Sequence, residues 1–138
     1  MKYIDASNQI YGRLSTVVAK ELLNGESVTI VNASSVVVTG SRDSVLARFR
    51  KRRDIGSVRK GPYYPRVPKA ILKRNIGDML PKDKAKGREA LKRCTVYNGV
   101  PASMKEIKFE RIEKAENTKV SRFVTLRDIA EIMGMKVE

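Results

Sequence analysis

The sequence predicts an α/β fold, a small and mainly parallel sheet with helices on both of its faces. Two observations carry that prediction. Short β-branched runs alternate with stretches of helical apolar periodicity. The runs are continuous rather than alternating, as strands covered on two faces should be. The 138 residues suit one domain, expected to span 1–138. With 41% hydrophobic residues but only three Phe and five Tyr, the core must be mostly aliphatic.

The elements follow in order. Residues 2–6 form a short strand. Tyr11 to Asn24 form a helix, with Leu14, Val17, Val18 and Leu22 on one face and Asn24-Gly25 as its stop. Val28–Ala33 and Val36–Thr39 are β-branched strands separated only by Ser34 and Ser35. They form either a tight hairpin or a bent connection feeding two parallel strands. Ser41 N-caps a helix to about Arg53, whose apolar arc is Val45, Leu46 and Phe49. Gly56, Gly61, Pro62 and Pro65 make residues 55–67 a loop.

Pro68 starts a helix to Leu80, with Leu72, Ile76, Met79 and Leu80 on one face and Pro81 as its end. Lys84–Lys92 is a short helix, and Thr95–Tyr97 a third strand stopped by Asn98-Gly99. Lys105–Glu116 is open between strand and helix. At helical spacing Glu106, Glu110, Glu113 and Glu116 would form a solvated, ion-paired face. Thr125 and Asp128 resemble a capping box ahead of the Leu126, Ile129, Ala130, Met133 stripe.

Composition removes whole classes of chemistry. There is no histidine, so His-based triads, acid/base steps and metal ligands are absent. The single cysteine, Cys94, excludes an intrachain disulfide and the usual zinc sites, and is expected to be buried and inert. No run of about 18 apolar residues exists, and residues 1–10 lack a signal-peptide apolar core. A cytoplasmic protein without cofactor, membrane attachment or small-molecule substrate is expected.

Charge points the other way, toward a polyanion. Lys plus Arg is 29 against 15 Asp plus Glu, a net +14. Residues 42–93 hold 18 of those cations and 5 acids, so 52 residues carry +13. Arg48-Phe49-Arg50-Lys51-Arg52-Arg53 places five cations in six residues. Arginine forks match phosphate oxygens, and counterion release drives binding. In the 59–66 stretch, Arg59, Lys60 and Arg66 are interleaved with Tyr63 and Tyr64. Those rings either stack on unpaired bases or pack on the domain and anchor the loop. Lys82, Lys84, Lys86, Arg88 and Lys92 crowd a helix start, another phosphate-attracting feature. With Lys69, Lys73 and Arg74 between them, these are the candidate RNA contacts.

Gly56–Gly61 has the spacing of a phosphate-binding loop, but Pro62 and Tyr63 stand where Lys and Ser/Thr are required. A nucleotide-dependent α/β enzyme is therefore a weak rival. A DNA-binding regulator is the stronger one. It lacks a base-reading basic helix, the only Gln being Gln9.

Six blocks add a resemblance. They are Ile4-Asp5-Ala6 with Gly12-Arg13-Leu14-Ser15; Ile30-Val31-Asn32-Ala33 with Val38-Thr39-Gly40; Gly61-Pro62; Met79-Leu80-Pro81-Lys82; Gly87-Arg88-x-Ala90-Leu91; and Val96-Tyr97-x-Gly99-Val100-Pro101. In this order the chain resembles the large-subunit ribosomal protein L-thirteen family. The match spans residues 4–101, about seven-tenths of the chain. The lack of a His-Pro after Gly99 and the modest length resemble its archaeal form. Two positions depart from the pattern: Asp78 stands inside the usual Arg-Gly-Met, and Ser15-Thr16 replaces Ala-Ser. The resemblance implies a three-layer αβα domain with a four-stranded parallel sheet and a basic loop/helix excursion. It also implies binding to large-subunit rRNA during assembly, contact with neighbouring ribosomal proteins and residence in the ribosome. Residues 102–138 form a C-terminal extension outside the match.

Overall fold

The computed structural model describes residues 2–54, 65–117 and 122–133, without the side chains of Arg53 and Asp54. Outside the described residues lie Arg59, Lys60, Tyr63 and Tyr64, the Gly56–Gly61 stretch, and the side chain of Arg53.

The chain runs β1 (Lys2–Asp5), α1 (Tyr11–Leu23), β2 (Val28–Val31), β3 (Val37–Thr39), α2 (Arg42–Asp54), α3 (Pro68–Asp78), α4 (Ala85–Lys92), β4 (Cys94–Val96), β5 (Phe123–Thr125) and α5 (Leu126–Ile132). The sequence-predicted elements are present, with ends displaced by one or two residues. The α/β class and the mainly parallel main sheet are observed.

The sheet differs from the four-stranded expectation. β1, β2 and β4 form a three-stranded parallel sheet with β2 central, and β3 pairs antiparallel with β5 in a separate two-stranded sheet. The cause lies at Asn32, which takes a left-handed φ of 61°. Its side-chain amide donates to Asp5 Oδ1 at 2.9 Å. A 3-10 turn over Ala33–Ser35 then redirects the chain. The amides of Ala33 and Ser34 are taken by the carbonyls of Tyr97 and Asn98. The two β-branched runs are thus neither a hairpin nor parallel neighbours.

The parallel order β1-β2-β4 advances in one direction, so right-handed crossovers bring successive helices to the same face. Accordingly α1, α3 and α4 pack on one another as well as on the sheet. By register, Ile4, Ile30 and Val96 share one face, and Tyr3, Thr29 and Thr95 the other. On that second face Phe109 meets the Tyr3 ring edge-on at 6.2 Å.

The core is aliphatic, as composition requires. Leu14, Leu22, Ile30, Ile71, Leu72, Ile76, Leu126 and Ile129 are fully buried with Phe49, each worth roughly 1.5–3 kcal/mol of transfer free energy. Val17 is only half-buried, and Ser15 and Ala19 complete the inner face of α1 instead. Met79, expected inside, is 42% exposed because α3 ends at Asp78. Cys94 is buried, and burial pushes its thiol up to about 11.

The C-terminal extension joins the same core through Ala115, Val124, Leu126, Ile129 and Met133. Residues 105–112 are not helical. The backbone of Glu110 instead bridges β1, accepting from Asp5 N–H at 3.0 Å and donating to Tyr3 O at 2.9 Å. The predicted row of glutamates is therefore not a helix face. Arg111 anchors the segment through Asp5 Oδ2 (3.2 Å), Ser7 O (2.6 Å) and Glu116 Oε2 (3.0 Å).

Candidate nucleic-acid interface

On α2, Ser41 Oγ accepts the Ser44 N–H at 3.4 Å and caps the start. Val45, Leu46 and Phe49 are buried. Burying that arc leaves Arg48, Arg50, Lys51 and Arg52 in solvent. The Arg52 guanidinium sits 5.3 Å from the Phe49 ring centroid, so its stem and fork cover the one aromatic of the arc. Among the described residues no carboxylate pairs with Arg48, Arg50 or Lys51. Cations held without internal partners remain available to an external anion.

The α3 start is pinned from a distance. Asn98, in the turn after β4, accepts the Lys69 N–H at 2.9 Å through Oδ1. Its carbonyl accepts Ser34 Oγ–H at 2.8 Å. This holds Arg66 and Lys69 at the surface, whereas Lys73 and Arg74 are half-buried.

The α3–α4 turn is tight. A Cβ on Gly87 would lie 2.0 Å from Pro81 O, so only glycine lets α4 sit against the Leu80-Pro81 turn. That approach brings Lys73, Lys82, Arg88 and Lys92 around one groove floored by Leu91, about 390 Å³ in volume. Arg88 donates to Lys82 O at 3.2 Å. Lys82 pairs with Asp78 at 2.9 Å in an exposed contact, so the acid that departs from the family pattern neutralises one predicted contact. Lys84 and Lys86 are exposed but do not line this groove. Arg93, within the basic stretch, turns inward and donates to Leu22 O at 2.6 Å.

One cation lay outside the sequence-predicted set. Arg13, exposed on the first turn of α1, faces a second groove together with Arg48 of α2 and Met79. The +13 segment masked it, because its own neighbourhood is nearly neutral. The Gly12-Arg13 block was the available signal.

Among the described residues no group of three or more His, Cys, Asp or Glu could hold a metal ion. No described helix is long and apolar enough to cross a membrane. The described residues form a folded α/β body that displays cations on its surface.

Comparison with known proteins agrees. The family model described as Ribosomal protein L13 matches residues 1–103. The chain is 60% identical over 138 residues, all of both chains, to the large ribosomal subunit protein uL13 of Picrophilus torridus. Identity to the uL13 of Thermoplasma acidophilum is 53% over 134 residues, covering 97% of this chain and 98% of the relative. To that of Archaeoglobus fulgidus it is 44% over 136 residues, covering 96% and 87%. The protein belongs to the ribosomal protein L13 family, in its archaeal type, and is a structural ribosomal component rather than an enzyme. These relatives also align past Pro101, where the six sequence blocks stop, so the C-terminal extension is shared with them.

Proposed function

We propose that the protein is a constituent of the large ribosomal subunit that binds and organises large-subunit rRNA during assembly, with neighbouring ribosomal proteins as further partners and the cytoplasmic ribosome as its location. The observation that carries this reading is the display of Arg48, Arg50 and Lys51 on α2 without carboxylate partners among the described residues. The groove of Lys73, Lys82, Arg88 and Lys92 supports it. Affinity is mainly electrostatic and specificity comes from RNA shape. The cations work as phosphate ligands on a rigid body, so distant RNA segments are held in fixed relation. Arg53, Arg59, Lys60 and Tyr63 belong to the same proposed surface on sequence grounds.

Co-sedimentation tests the reading. The native protein should travel with large subunits at low ionic strength and leave them only in high salt. A folded protein found wholly outside the subunit fraction at low salt would refute it.

A further inference from the structure

The groove shared by α1, α2 and the α3–α4 turn is built differently from the other basic surfaces. Its volume is about 420 Å³. Tyr11, Val38 and Met79 supply apolar lining, with Arg13 and Arg48 among its walls. No acid lines it. The neighbouring groove between α1 and the Glu113–Ala115 turn, which Arg13 and Thr16 also line, carries Glu21 and Glu113. The site around Lys73 and Lys82 brings four cations around the aliphatic Leu91, with no aromatic ring among its described lining residues. Phosphate alone needs no apolar lining. A flat apolar solute flanked by two anions needs both lining and arginines.

Three further features fit. Met79 is 42% exposed, and its sulfur lies 3.6 Å from Thr16 Oγ1, on the groove wall. Asp78, next in sequence, is engaged by Lys82. The first turn of α1 has neither an acidic residue nor a side-chain cap from Ile10, so its amides add positive potential beside Gly12.

We propose that this groove seats one unpaired nucleotide of RNA, its base against Tyr11 and Met79 and its flanking phosphates on Arg13 and Arg48. The inference rests on the RNA-binding reading above and adds a single-stranded subsite to it. Base contact on apolar and aromatic side chains tolerates any base identity and adds affinity without adding charge.

Gly12 provides the test. It lies in the groove, and nothing stands within 4 Å of the Cβ it lacks, so Gly12→Leu fills the space without a clash at Cβ and without changing charge. Binding to archaeal large-subunit rRNA would be measured as a function of salt, with nucleotide 2′-OH reactivity mapped in parallel. Gly12→Leu should weaken binding about tenfold, leave the salt slope unchanged and expose one unpaired nucleotide that the wild type protects. Arg13→Ala should lower the slope by about 0.7–0.9. The double variant Arg50→Ala/Lys51→Ala, which leaves the groove intact, reports on the RNA reading by itself. Wild-type binding and reactivity for both Gly12→Leu and Arg13→Ala, beside a reduced slope for the double variant, overturns the nucleotide seat alone. An unchanged slope in all of them overturns the RNA reading and the seat with it. Thermal unfolding of each variant establishes that it is folded.

Discussion

Gly87 shows how one side chain's absence sets the position of several charges. Its missing Cβ leaves room for the carbonyl of Pro81, and that contact seats α4 with Arg88 and Lys92 opposite Lys73. Gly87→Ala should cost about 1–3 kcal/mol through overpacking against backbone that has no rotamer to change. Differential scanning calorimetry would register this as a lowered Tm. Gly12→Ala, with open space around it, should lower Tm little or not at all. At the same scale Phe49 is buried under the Arg52 guanidinium. Burial of the ring was legible from the arc it shares with Val45 and Leu46. The stacking of Arg52 was not, because it depends on a rotamer rather than on spacing. Met79 was misplaced for a related reason. Apolar periodicity continues through Leu80, but the helix stops at Asp78 and turns Met79 outward.

Among the elements, the segment 110–117 is fastened to the β1–α1 turn by charge and backbone together. Its main polar contact pairs Arg111 with Glu116, whose carboxyl Arg111 holds below the usual range, with Gln9 Nε2 donating as well at 2.9 Å. Burial alone would raise Asp5, but hydrogen bonds from Asn32 and Ser7 and the nearby Arg111 lower it. Carboxyls depressed in the folded state lend stability above their unfolded values, about 4, and lose it as pH falls through the folded ones. The protection factor of the Ile10 amide, which donates to Ala115 O at 2.6 Å, should therefore fall below about pH 4. Glu116→Gln should flatten that dependence, and Ile10 protection independent of pH in the wild type would contradict the account. At α3, Asn98→Ala removes the acceptor of the Lys69 N–H and should cost about 1 kcal/mol, measurable by denaturant titration. Neither fastening was legible beforehand. Both join residues far apart in sequence, and periodicity reports only local faces. The helices were legible because their apolar spacing and stop signals are local. The partner of β3 was not, because a three-residue strand carries no record of its neighbour.

At the scale of the whole molecule, charge and fold are separable. Residues outside 42–93 supply all five strands, α1 and α5 with a nearly balanced charge, whereas 42–93 carries +13. The aliphatic core confers rigidity, and the cations repel one another until a polyanion meets them. Composition alone made this division of charge visible, whereas the sheet order depends on long-range pairing that composition does not report. What composition missed was Arg13, a cation of the neutral part that α1 delivers to the edge of the basic part.

The salt dependence of binding to large-subunit rRNA tests this most directly. A log–log plot of affinity against salt should lose about 2–3 units of slope when Arg48, Arg50 and Lys51 are all replaced by alanine, with the fold intact by circular dichroism. An identical slope for wild type and triple variant would contradict the assignment of α2 as a phosphate-binding surface.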